Sequence, residues 1–273
     1  PRAAAAEPDQ ERLATYRSKA RGCFLGAAIG DAMGGPVECQ HFRRIAAKFT
    51  DFQDFLPYRK PPGIIDLHPG YALDDEPGNI TDDTYIRLDL AKYLIENDPP
   101  YNAARFAPWL LANADFSNWW GVAVKPLRRI QSGETAPEDS GNSHQQGGGG
   151  GWWQPMAILH AGDPSGAARA TTNLCRIWKA PLERDILSSV VAGQAAAFRA
   201  GSTIDSVVNA VLDQSGPLAK ELFTRAVEIA RKVDDPQKLY EQIYQHCLVK
   251  ECTTSVDGPM PPAVTPRDYA EGF

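Results

Sequence analysis

Apolar residues along this chain recur at steps of three and four, the period of one helix face. From Glu11 to Met33 the pattern runs through Leu13, Tyr16, Ala20, Cys23 or Phe24 and Ala27, and Gly34-Gly35-Pro36 stops it. The spacing predicts a helix of about six turns whose last turns are rich in small residues. A second periodic stretch, Asp82–Glu96, follows Thr81 as a plausible N-cap and places Ile86, Leu90, Leu94 and Ile95 on one face. Further helical patterns cover Tyr101–Ala112, Asn118–Gln131, Trp152–His160, Ser165–Trp178, Leu182–Ala200, Ile204–Asp213, Pro217–Val233 and Gln237–Leu248. Alternating β-branched runs are almost absent, so the expected class is all-α. No fixed-period repeat occurs.

Two segments break the helical pattern. Pro57–Ile80 holds five prolines and three glycines together with Asp66, His68, Asp74, Asp75 and Glu76, and Ser132–Gly151 ends in five consecutive glycines. Irregular stretches of about twenty residues inside a compact domain are usually binding loops, lids or linkers. The helical pattern keeps one character on either side of both, so neither reads as a domain boundary, and residues 11–273 are expected to form one domain. Pro1–Gln10, Ala- and Pro-rich without an apolar run, reads as a disordered or processed leader rather than a secretory signal.

Composition narrows the partners. At 273 residues one core can bury about three quarters of the unfolded surface, so staples are not required. Twenty-eight basic against thirty-four acidic side chains give a net charge of −6, with the basic residues scattered singly, so nucleic acid is not an expected partner. No run approaches eighteen apolar residues, so no membrane span is expected. Five cysteines without a C-x-x-C pair indicate neither a disulfide framework nor a zinc knuckle; a reducing, cytoplasmic setting is the simplest reading.

The sharpest chemical feature is Thr81-Asp82-Asp83-Thr84 at a predicted helix start. Adjacent carboxylates repel and need compensation from the helix N-terminus or from a cation. Two readings fit: ordinary capping, or a hard all-oxygen set suited to Mg²⁺, Mn²⁺ or Ca²⁺. Further back, the small-residue stretch from Gly26 delivers Asp31 and Glu38 near the end of the first helix. Charges there need partners, which implies a polar cavity, unless the glycines serve tight packing and Glu38 is in solvent.

Together these features resemble the ADP-ribosylglycohydrolase family. The carrying motifs are RGCFLGAAIGDAMGGPVE at 21–38 and ITDDTYIRLDLAKYL at 80–94. Weaker support comes from Asp115-Phe116-Ser117-Asn118 and from the glycine run before Pro155–Pro164. The resemblance runs from Arg21 to Phe273. It implies an orthogonal multi-helix fold holding two Mg²⁺ ions, with Mn²⁺ as an alternative, and cleaving the bond between C1″ of ADP-ribose and an acceptor. Thr81, Asp82 and Asp83 match family metal ligands, Glu38 and Asp115 match acidic active-site positions, and Asp83 also falls in the catalytic set. The expected partners are an ADP-ribosylated protein or a small NAD-derived molecule.

Gly147, Gly148, Gly149, Gly150 and Gly151 offer backbone N–H groups to a pyrophosphate, or form a flexible tether. Trp119, Trp120, Trp152 and Trp153 are stacking surfaces for a planar group, or core. The family's second metal motif, Asp-x-Asp-Thr, does not occur in these residues. A partial metal site, with at most one ion, is therefore expected, unless a second chain supplies the remainder. The alternatives are a non-catalytic ADP-ribose-binding or structural member of the same fold, and an isoprenoid synthase suggested by Asp74-Asp75 and Asp82-Asp83.

Overall fold

The computed structural model describes residues 9–37, 45–47, 49, 54–57, 76–143 and 150–246. Among these residues the chain is all-α: helices joined by turns, with no strand and one isolated bridge between Pro57 and Pro77. The helices are α1 (Gln10–Gly34), α2 (Asp82–Glu96), α3 (Ala103–Asn113), α4 (Gly121–Gln131), α5 (Gln154–Leu159), α6 (Pro164–Leu174), α7 (Pro181–Ala196), α8 (Ile204–Gln214), α9 (Pro217–Ala230) and α10 (Pro236–His246). None is long and apolar enough to cross a membrane.

Local chemistry explains the starts. Asp9, Thr81, Asn102, Asp163 and Thr203 each accept a backbone N–H from the first turn that follows. Helices α6, α7, α9 and α10 open on proline, which has no N–H to leave orphaned. After α5 the chain turns at Gly162, whose φ of +82° suits a residue without Cβ.

Two predicted helices are interrupted for the sake of the core. The stretch from Asn118 breaks at Trp119 and Trp120, which are extended, so that Trp119 can tuck inside; α4 starts only at Gly121. The stretch through Trp178 ends as an α-helix at Leu174 and tightens into a 3₁₀ turn, Cys175–Ile177, which turns Trp178 inward.

Trp178 is the centre of the core. Its ring meets Trp152 at 5.3 Å and Phe106 at 6.1 Å, both edge-on, and its indole N–H donates to the Ala123 carbonyl at 2.9 Å. Each such aromatic pair adds about 0.5–1.5 kcal/mol beyond area burial. Leu90, Tyr93, Leu110, Leu127, Met156, Leu174 and Leu187 complete the cluster, drawn from α2 to α7. Helix α7 packs along both α6 and α8. Helix α1 lies outside this cluster, with Ala32 its one buried residue. It is tied down by Tyr16, donating to the Ile158 carbonyl, and by Lys19, donating to the carbonyls of Ala197 and Arg199.

Candidate functional site

The end of α1 meets the start of α2 through one carboxylate. Asp31 accepts the Thr81 N–H at 2.9 Å and the hydroxyls of Thr81 and Thr84, each at 2.5 Å. Thr81 Oγ1 in turn accepts the Asp83 N–H at 3.3 Å, which makes Thr81 the N-cap. Asp31 thus finds the partners its burial requires, and it binds to each other two segments fifty residues apart. With its hydrogen committed to Asp31, the Thr81 hydroxyl keeps lone pairs for other partners.

Asp82 and Asp83 occupy the first turn of α2 and keep part of their surface open. The Asp83 carboxyl is pushed up to about 7, first by burial, then by the neighbouring charges of Asp82 and Asp31. Arg87 and the Trp152 indole pull it back. That indole N–H lies beside the carboxylate but short of full hydrogen-bond geometry, and is otherwise buried without a partner. Three carboxylates therefore gather at the start of α2, with the Arg87 guanidinium beside them.

Arg87, 2% exposed, is a site residue that the periodicity argument passed over. Its Nε and Nη2 both donate to the Gly151 carbonyl, at 3.1 and 2.7 Å. Nε also reaches Gln154 Oε1 at 3.0 Å, and Nη1 reaches Thr84 Oγ1 at 3.0 Å. The signal was present: Asp83, Arg87, Leu90 and Leu94 fall at i, i+4, i+7 and i+11, so an acid and a base share the stripe that the leucines bury. Arg87 clamps the Gly150–Trp152 turn onto α2. A Cβ at Gly151 would sit 3.1 Å from Asp83 Oδ1, so a larger residue there would press on the carboxylate.

Behind Trp152 lies a second charged pair. Lys179 Nζ stands 5.8 Å from the Trp152 ring centroid, and Lys179 and Glu183 are both buried. Burial pulls Lys179 down and pushes Glu183 up, and each charge holds the other. One Glu183 oxygen also accepts the Ala180 N–H at 2.9 Å. Spaced at i and i+4, this pair reads in sequence as a solvated surface bridge.

The remaining expected residues fall in different places. Glu38 and Gly147–Gly149 lie outside the described residues, and Gly150 joins the 3₁₀ turn through its backbone. Asp115 stands at the head of the short 3₁₀ turn before α4. It is exposed, caps Phe116–Asn118 by accepting the Ser117 N–H at 3.0 Å, and is held below the ordinary carboxylate range by Ser117. Its charge acts on Asp89, which accepts the Trp119 indole N–H at 3.1 Å. Trp153 and Trp152 stack at 6.3 Å, are 1% and 5% exposed, and meet Trp178 edge-on, so they are core residues and present no open stacking face. Trp119 is core as well; Trp120 is partly exposed.

The oxygens gathered at the turn, Thr81 Oγ1 and the carboxylates of Asp82 and Asp83, are all hard donors of the kind that suits Mg²⁺ or Mn²⁺. Among the described residues no three His, Cys, Asp or Glu side chains form a complete ion-binding group. The turn fits part of a coordination sphere.

An uncharacterized protein of Archaeoglobus fulgidus is 36% identical over 96 residues, which take in 34% of this chain and 28% of that protein. The sequence profile of the ADP-ribosylglycohydrolase family matches residues 12–259, spanning both α1, which brings Asp31, and the Thr81–Asp83 turn. The chain belongs to the ADP-ribosylglycohydrolase family.

Proposed function

We propose that this chain hydrolyses the glycosidic bond of an ADP-ribosyl group, on a protein or on a small NAD-derived molecule, with a divalent cation held at Thr81, Asp82 and Asp83. One observation carries the reading: the carboxylates of Asp31, Asp82 and Asp83 gather around the Thr81 cap, where burial and the neighbouring charges push Asp83 up to about 7. A cation there would relieve the crowding. When bound, Mg²⁺ or Mn²⁺ orients ribose hydroxyls or water and supplies positive charge.

The chain's own residues do the rest. Cleavage at an anomeric carbon passes through an oxocarbenium-like state, which carboxylates stabilise, and it needs an acid or base to move a proton to or from water. Asp31 fixes the Thr81 hydroxyl and the Asp83 N–H in one frame, so the turn enters the reaction already organised. Arg87 holds the Gly151 backbone against that frame, and the N–H groups of the glycine run are the proposed contacts for a pyrophosphate. Glu38 is the candidate base for water.

The turn supplies one donor set. No Asp-x-Asp-Thr occurs in the 273 residues, so turnover by this polypeptide alone is expected to be slow, and a second polypeptide carrying that motif should raise it. Two measurements test the proposal. Calorimetric titration of Mg²⁺ and of Mn²⁺ should show binding that Asp82→Asn removes; equal binding by the variant sinks the metal site. Chromatography should detect metal-dependent release of ADP-ribose from an ADP-ribosylated peptide or an NAD-derived glycoside, lost in Glu38→Gln. No release from either, with the second polypeptide present, refutes the hydrolase reading.

A further inference from the structure

Outside the carboxylate turn, three arginines surround a cavity of about 540 Å³ formed by α6, the Cys175–Ile177 turn and the start of α7. That volume falls within the range of small-ligand sites, about 300–1,000 Å³. The arginines are Arg169, Arg176 and Arg184. Each is anchored by a neutral acceptor: Arg169 Nη1 donates to Ser165 Oγ at 2.6 Å, Arg176 Nε to the Glu138 carbonyl at 2.9 Å, and Arg184 Nη2 to Asn142 Oδ1 at 3.1 Å. Among the described residues no carboxylate lies within ion-pair distance of any of the three.

The acid that does line the cavity is already engaged. Both oxygens of Asp185 accept the Gly216 N–H, at 2.9 and 3.1 Å, at the N-cap of α9. Asp139 acts on Arg184 only through space, and its own carboxylate accepts from Asn142 at 3.2 Å. Arg184 meanwhile carries a buried Nη1 with no partner, and both burial and the charge of Arg176 disfavour its ionised form. Among the described residues three guanidinium groups line the cavity with one carboxylate, Asp185, a local excess of positive charge in a chain of net charge −6.

The chemistry of the walls selects the occupant. Guanidinium forks match phosphate oxygens in bidentate geometry, and Thr172, Asn173 and Ser188 add neutral polar groups. Among the described residues no aromatic ring lines the cavity, so they offer a base no stacking surface. We propose that this cavity binds the phosphate or diphosphate group of a small anionic ligand, at a site separate from the Thr81–Asp83 turn.

The test is calorimetric titration of inorganic pyrophosphate, and in parallel of inorganic phosphate, into the full chain at about 50 mM and about 150 mM salt, where surface charges are already well screened. Saturable binding at one site, persisting at the higher salt, is expected. Arg176→Gln and Arg184→Gln should each weaken it about tenfold or more, as loss of a charge-assisted bond implies. Because Arg184 is partly buried, Asn173→Glu provides an exposed second variant: it leaves all three arginines in place, adds a carboxylate at the cavity, and should abolish pyrophosphate binding while raising the melting temperature. Tighter binding of pyrophosphate than of phosphate assigns the site to a diphosphate, and the reverse to a monophosphate. No binding by the native chain, binding lost at the higher salt, or binding in Asn173→Glu or Arg176→Gln as tight as in the native chain would overturn the proposal.

Discussion

Replacing Asp83 with Asn should stabilise the metal-free protein at neutral and alkaline pH. The carboxyl rises from an ordinary 3.8 to about 7 in the folded chain, so the folded state holds that proton more tightly than the unfolded state does. For a raised acid, the stabilisation is complete below about 4, declines as pH rises toward about 7, and is gone above it. Full conversion of that interval gives about 4 kcal/mol, and the solvent that still reaches Asp83 reduces it to about 2 kcal/mol. Asn keeps the shape and removes the titration. Thermal denaturation in chelator should therefore show the variant melting about 4–8 °C above the native chain at about pH 8, with the two converging at about pH 4. A gap that is absent, or that stays constant across the pH range, would refute the crowding argument. Added Mg²⁺ should close the gap by stabilising only the native chain.

Arg87→Met should cost about 3–5 kcal/mol, because it strips two donors from the Gly151 carbonyl and leaves Asp83 without its counter-charge; urea denaturation measures it. Gly141→Ala should cost about 3 kcal/mol or more by the same assay, since its Cβ would stand 2.5 Å from both the N and the O of Lys179, backbone atoms with nowhere to move. ADP-ribose should slow amide hydrogen exchange at Gly151–Trp153 if the glycine segment holds the pyrophosphate, and unchanged exchange at saturation would return that segment to a tether.

What was readable from the chain depended on range. Asp82–Glu96 was legible to the residue, because Thr81 caps it, the leucine stripe repeats through it, and Asn97 ends it. The prolines at 164, 181, 217 and 236 likewise marked helix starts. Trp119 and Trp178 defeated the periodicity because each pulls the backbone out of helix to reach the core, a tertiary demand that no local pattern encodes. In the site, the Thr-Asp-Asp-Thr turn was visible, and so was the need of Asp31 for partners. Which partners it found was not, since the hydrogen bonds join residues fifty positions apart. At Asp115 the sequence leaves the local role open for a related reason: a short acid–aromatic–Ser–Asn stretch looks the same whether its carboxylate faces a cleft or caps its own turn. Lys179 and Glu183 carry ordinary surface spacing into the interior, which only the packing of α7 between its neighbours reveals.

The stacked indoles of Trp152 and Trp153 have a use beyond packing. Their planes lie within 14° of each other, with the Asp83 carboxylate beside one ring and the Lys179 ammonium over it. An indole's excited-state dipole makes its emission wavelength respond to nearby charge, and two rings this close couple their transitions in the near-ultraviolet. The chain therefore carries an intrinsic optical reporter wired to its candidate site. Any event that changes the charge at Asp83, by proton or by cation, should register as a colour shift from this pair, without a label and without turnover.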